Sequence, residues 1–88
     1  MLPIGSGQGE LWNGNRHLCK VDYDISPPLN FVAGAQHVRL VVHDYECEDL
    51  LKIAGITLVL ADGSRHRLPQ PINLHQEGHL ECFLVVEV

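Results

Sequence analysis

The stretch Cys19-Lys20-Val21-Asp22-Tyr23-Asp24-Ile25 alternates apolar and charged residues without a break. That is the period-two pattern of a strand with one buried face and one wet face. A lone strand cannot hide its apolar face, so the residues around it must supply pairing partners. Upstream, Glu10–Asn13 and Arg16–Ile25 flank the turn pair Gly14-Asn15 and read as a β-hairpin. A two- or four-residue turn there puts Trp12 on the face of His17, Cys19 and Val21, which makes Trp12 an expected core residue. Downstream, Ser26-Pro27-Pro28 stops the strand, because proline cannot donate a ladder hydrogen bond.

The pattern continues past a loop that runs to about Gly34. His37–His43 reads as a strand with Val38, Leu40 and Val42 on one face. Ile56–Leu60 and Ser64–Leu68 read as a second hairpin around Ala61-Asp62-Gly63. A two-residue Asp-Gly loop would set Leu58 opposite Arg67 and mix charge into the apolar face. A three-residue loop with Gly63 left-handed sets Leu58 opposite His66 and Ile56 opposite Leu68, and turns Arg65 and Arg67 outward. The three-residue loop is the expected register. Pro69-Gln70-Pro71 breaks the sheet, Ile72–Leu74 forms a short strand, Gly78 marks a turn, and His79–Val88 forms the last strand. The segment Asp49–Gly55 reads as one helical turn, capped by Asp49 and ended by Gly55, or as a short strand.

These strands imply an all-β fold, a small barrel or sandwich of about five to seven mostly antiparallel strands, with a short helical turn near 49–54 as the one option outside it. Residues 1–9, with three glycines and Pro3, are expected to form a flexible arm, and residues 10–88 a single domain. The 88 residues are 45% apolar and 19% charged, which excludes a disordered chain.

Composition also narrows function. The net charge of −5 opposes phosphate backbones and anionic lipid. With no long apolar run and no basic, apolar leader, neither nucleic acid nor membrane is expected as a partner. The cysteines Cys19, Cys47 and Cys82 lack disulfide-framework spacing and read as reduced thiols, so a cytoplasmic setting is expected.

Catalytic material is sparse. No serine stands in a nucleophile elbow, and the carboxylates around Cys47 oppose a thiolate. The acidic run Asp44–Asp49 lacks the glycine and glutamate that a calcium loop needs at its sixth and twelfth positions. His75, His79 and Cys82 offer a weak alternative as zinc ligands, without a knuckle to support them. No enzyme, cofactor or metal is therefore expected. The expected function is a non-catalytic protein-interaction module; the alternative is a barrel holding a small ligand or metal through histidine and cysteine side chains.

Its candidate contact residues are Phe83, Val85, Arg65 and Arg67. Leu80, Cys82 and Leu84 form one apolar face of the last strand, and Phe83 and Val85 interrupt the other. Either Leu50–Ile53 covers that second face, or another chain does, most simply a second copy in a homodimer.

Overall fold

The computed structural model describes residues 1–28 and 34–85. Among these, seven strands form one antiparallel sheet: β1 (Gly5–Asn13), β2 (Arg16–Ile25), β3 (Ala35–His43), β4 (Ile56–Val59), β5 (Arg65–Arg67), β6 (Asn73–Gln76) and β7 (His79–Val85). One helix, α1 (Cys47–Leu51), joins β3 to β4. The strand order is β5-β4-β1-β2-β3-β7-β6, and the sheet curls into a half-barrel. The expected all-β class is thus the observed one. The end of the expected last strand, residues 86–88, lies outside the described residues.

The curl puts one face of every long strand inside. Leu11, Val21, Ile25, Val38, Leu40, Ile56, Leu58, Leu80 and Cys82 are all essentially inaccessible. The alternation in the sequence that opened the analysis is this face, with Cys19, Val21, Tyr23 and Ile25 buried and Lys20 exposed. The β4–β5 hairpin has the expected three-residue loop: Leu58 pairs with His66, the Leu68 amide donates to the Ile56 carbonyl at 2.9 Å, and Gly63 has φ 87°. In that loop Asp62 accepts from the Ser64 hydroxyl at 2.7 Å and the Ser64 amide at 2.9 Å, which holds its carboxyl below the usual range.

Three expectations change. The segment 1–9 is not a free arm: Gly5–Gly9 pair with Val21–Ile25 as the first half of β1. The glycines are there because the Tyr23 ring lies against them. A methyl group on Gly7 would sit 2.8 Å from the Tyr23 hydroxyl oxygen, and one on Gly9 would sit 3.2 Å from the ring and 2.3 Å from the Val59 carbonyl oxygen. Low side-chain content signals flexibility only where nothing else fills the space.

Trp12 is not a core residue. It pairs with His17 as expected, but the register slips between Leu11 and Trp12, so that Leu11 pairs with Cys19 and Leu18 is the extra residue of a β-bulge. The bulge reverses the phase, sending Leu11 inward with Cys19 and Trp12 outward with His17.

The helical option is the observed one, but the helix both begins and ends earlier than the expected turn over 49–54. α1 starts at Cys47, and Asp49 lies inside it. Leu50 is buried in the core and Ile53 packs against it, so this segment covers the inner face.

The chain start finishes the core. Leu2 is 6% exposed, whereas Met1 is 75% and Ile4 55% exposed. Gln36, the one buried polar side chain among the described residues, clamps Leu2 at both backbone groups. The Leu2 amide donates to Gln36 Oε1 at 2.8 Å, and Gln36 Nε2 donates to the Leu2 carbonyl at 2.9 Å and to that of Ser26 at 3.2 Å. Two neutral hydrogen bonds contribute about 1 kcal/mol each and a buried leucine about 2 kcal/mol. Fixing the backbone costs about 1–2 kcal/mol for each residue of Met1–Ile4. The clip therefore sits within a few kcal/mol of balance.

Gly9→Ala should lower stability by about 1–3 kcal/mol, the usual range for overpacking, because its methyl group meets backbone as well as a ring. Urea denaturation followed by circular dichroism measures it; an unchanged midpoint would contradict the packing described.

Candidate functional site: the outer face of the sheet

Residues paired across antiparallel strands point to the same side, so the outer face can be read as rows. On β3 and β7 the outward pairs are Ala35 with Val85, His37 with Phe83, Arg39 with Glu81 and Val41 with His79. Polar pairs surround this face: Arg39 forms a salt bridge with Asp24, and hydrogen bonds at 2.8 Å join His43 Nε2 to the Asp22 carboxylate and His37 Nε2 to that of Glu81. His75 Nδ1 lies 3.7 Å from the same Glu81 carboxylate.

At one end of this charged surface, the carbon surface is uncovered. Phe83 is 49% and Val85 64% exposed. The His37 imidazole stacks on the Phe83 ring, with centroids 4.5 Å apart and planes within 7° of parallel. His37 is held from two sides, since its amide donates to the Ser26 hydroxyl oxygen at 2.8 Å and its ring Nε2 is hydrogen-bonded to the accepting Glu81 carboxylate at 2.8 Å. The aromatic pair is thereby presented in a fixed orientation.

Arg65 and Arg67 do not join this patch. They are exposed on β5, with β4, β1, β2 and β3 between them and β7. Arg65 lies 5.3 Å above the Trp12 ring and donates to the Gly14 carbonyl at 3.3 Å. The His17 ring meets the Trp12 ring edge-on at 5.2 Å. This second aromatic cluster was hidden from the sequence reading by the bulge at Leu18.

The metal alternative is not assembled. Cys82 points into the core at 0% exposure, while His75 is exposed on β6 and turns toward Glu81. Among the described residues, no group of three His, Cys, Asp or Glu side chains could hold a metal ion. Leucine and valine side chains fill the half-barrel, occupying the space that a ligand-holding barrel would keep open.

An open cleft of about 500 Å³ lies between α1 and the β6–β7 turn, bordered by Tyr45, Glu46, Glu48, Leu74 and Glu77. Cys47 borders it too, but burial pushes this thiol up in pKa and Glu46 adds to the effect, against a smaller lowering by the Gly78 backbone. Burial likewise pushes Cys19 up to about 11 and Cys82 up to about 12. All three are free and buried, and none is set up as a thiolate nucleophile. Among the described residues, no helix is long and apolar enough to cross a membrane.

Comparison with protein-family models, with curated proteins and with solved structures found no match to this chain.

The buried thiols give the fold an alkaline limit. A thiol raised from 9.0 to about 12 on folding favours the folded state below pH 9, and that contribution is lost as pH rises from about 9 to about 12. Stability should fall over this window and fall less steeply in Cys82→Val. Denaturation midpoints at pH 8 and pH 10.5 measure this; equal alkaline losses in parent and variant would contradict it.

Proposed function

We propose that this chain is a non-catalytic β-module that binds another protein through the outer face of β3 and β7, a second copy of itself being the simplest partner. The observation that carries the reading is the exposed, oriented pair of Phe83 and Val85 beside His37. Exposed aromatic and branched side chains on a rigid sheet are the kind of anchor that dominates protein interfaces. The Arg39–Asp24, His37–Glu81 and His43–Asp22 pairs put polar groups beside that anchor, as in the rim of an interface.

α1 bears on the choice of partner. Leu50 and Ile53, the apolar residues that the sequence offered as a cover for Phe83, are committed to the inner face. A two-fold copy would set Phe83 and Val85 against themselves, which is the self-complementary arrangement of a symmetric dimer. Free, buried thiols suit a reducing cytoplasm as its setting.

Light scattering coupled to size exclusion tests the reading, with Phe83→Glu beside the parent. The parent is expected to be dimeric at high micromolar concentration, and the variant a folded monomer. A monomeric parent would count against self-association, and a variant that unfolds would place Phe83 in the domain's own core.

A further inference from the structure

The Leu2 seat is built differently from the rest of the core. Most buried side chains arrive on paired strands, on α1 or at the ends of the β4–β5 hairpin. Leu2 arrives on a segment whose neighbours Met1 and Ile4 stand largely in solvent. Its backbone is recognised by a side chain: Gln36 offers one acceptor and one donor, which engage the amide and carbonyl of the same residue at 2.8 and 2.9 Å. This is how a strand edge reads an incoming peptide, through main-chain groups that every residue has, with a single socket for a side chain.

The other half of the construction is the connection. β1 begins immediately after Ile4, at Gly5, whose φ of 142° and open surroundings place no side chain in the way of rotation. The segment can swing about Gly5 without disturbing the Gly7 and Gly9 contacts with Tyr23. Release would uncover Gln36, now fully buried, and take the Leu2 backbone from both ends of its amide, leaving the hydrogen bond from Nε2 to the Ser26 carbonyl. An incoming peptide backbone would restore both hydrogen bonds and rebury the amide, in place of water.

We propose that the Gln36 seat is a peptide-binding site, occupied in this structure by the chain's own Met1–Ile4, and that its ligand class is an extended peptide carrying a leucine in the Leu2 position. Binding in trans exchanges like for like: the Gln36 amide keeps two main-chain hydrogen bonds, and the socket keeps a leucine. Specificity resides in the leucine, since Met1, Pro3 and Ile4 contribute mainly exposed surface. The tethered segment competes as an intramolecular ligand at high effective concentration, so the site is self-inhibited until the segment leaves. This site is separate from the Phe83 face, and neither requires the other.

The probe is a synthetic peptide of residues 1–9, titrated into the full chain and into full-chain Leu2→Asp, with the Gln36 side-chain amide followed by NMR. The variant is expected to stay folded and to bind the peptide at least tenfold more tightly than the parent, with the Gln36 amide resonances moving. A peptide carrying the same Leu2→Asp change should not bind. In the parent, the Leu2 amide should exchange with solvent at least 100-fold faster than those of Val21 and Leu40, although all three are protected. A folded variant that does not bind the peptide would overturn the proposal, as would equal affinity of parent and variant. So would a variant that unfolds, or a Leu2 amide as slow as the core, because a segment the fold cannot spare is not exchangeable.

Discussion

The contact between the Tyr23 ring and the glycines of β1 is the constraint on which this structure turns. An ordinary sheet position has a side chain on each side of the pair, but Gly7 faces Tyr23 across the β1–β2 ladder and Gly9 faces Val21 with none of its own. The ring fills that vacancy and reaches on to the β4–β5 loop, where its hydroxyl accepts a hydrogen bond from the Ala61 amide at 3.2 Å. One side chain on β2 thereby binds β1 and the β4–β5 loop into the same curl. Without the glycines the ring would be displaced, and the apolar face of β2 would lose its cover. A residue-level vacancy thus produces a sheet-level curvature.

Curvature in turn divides the molecule into two chemistries. The inner face is aliphatic and carries the three thiols, each pushed up in pKa by burial. The outer face carries exposed or half-exposed polar pairs, among them the Arg39–Asp24 salt bridge, and a surface salt bridge is worth about 0–1 kcal/mol, too little to account for the fold. Their effect is to keep most of the outer surface wet and of mixed sign, which sets apart the places that are not. Phe83 and Val85 are one such place, and the Trp12–Arg65 cluster at the other side of the sheet is a second.

Period-two alternation made the sheet legible in the sequence, because burial on one face imposes it directly. The register of the β4–β5 hairpin was legible too, since one loop length keeps arginine off the apolar face and the other does not. Trp12 was misread because a single inserted residue, Leu18, reverses the phase, and no local composition marks such a bulge. The Gly5–Gly9 half of the first strand is not legible, because the side chain that covers it belongs to Tyr23 on the next strand. Phe83 and Val85 were identified from the strand that alternates least cleanly, but their separation from Arg65 and Arg67 depends on strand order, which alternation does not encode. The Gln36 clip joins residues far apart in the chain and has no sequence signature at all.

The Tyr23–glycine contact can be observed directly by proton NMR. Ring currents should shift the α-protons of Gly7 and Gly9 upfield, and both should show nuclear Overhauser effects to the Tyr23 ring protons. Tyr23→Leu should abolish those shifts. Gly7 and Gly9 α-protons at random-coil positions, with no cross-peaks to Tyr23, would contradict the account, because β1 would then lack the contact that curls the sheet.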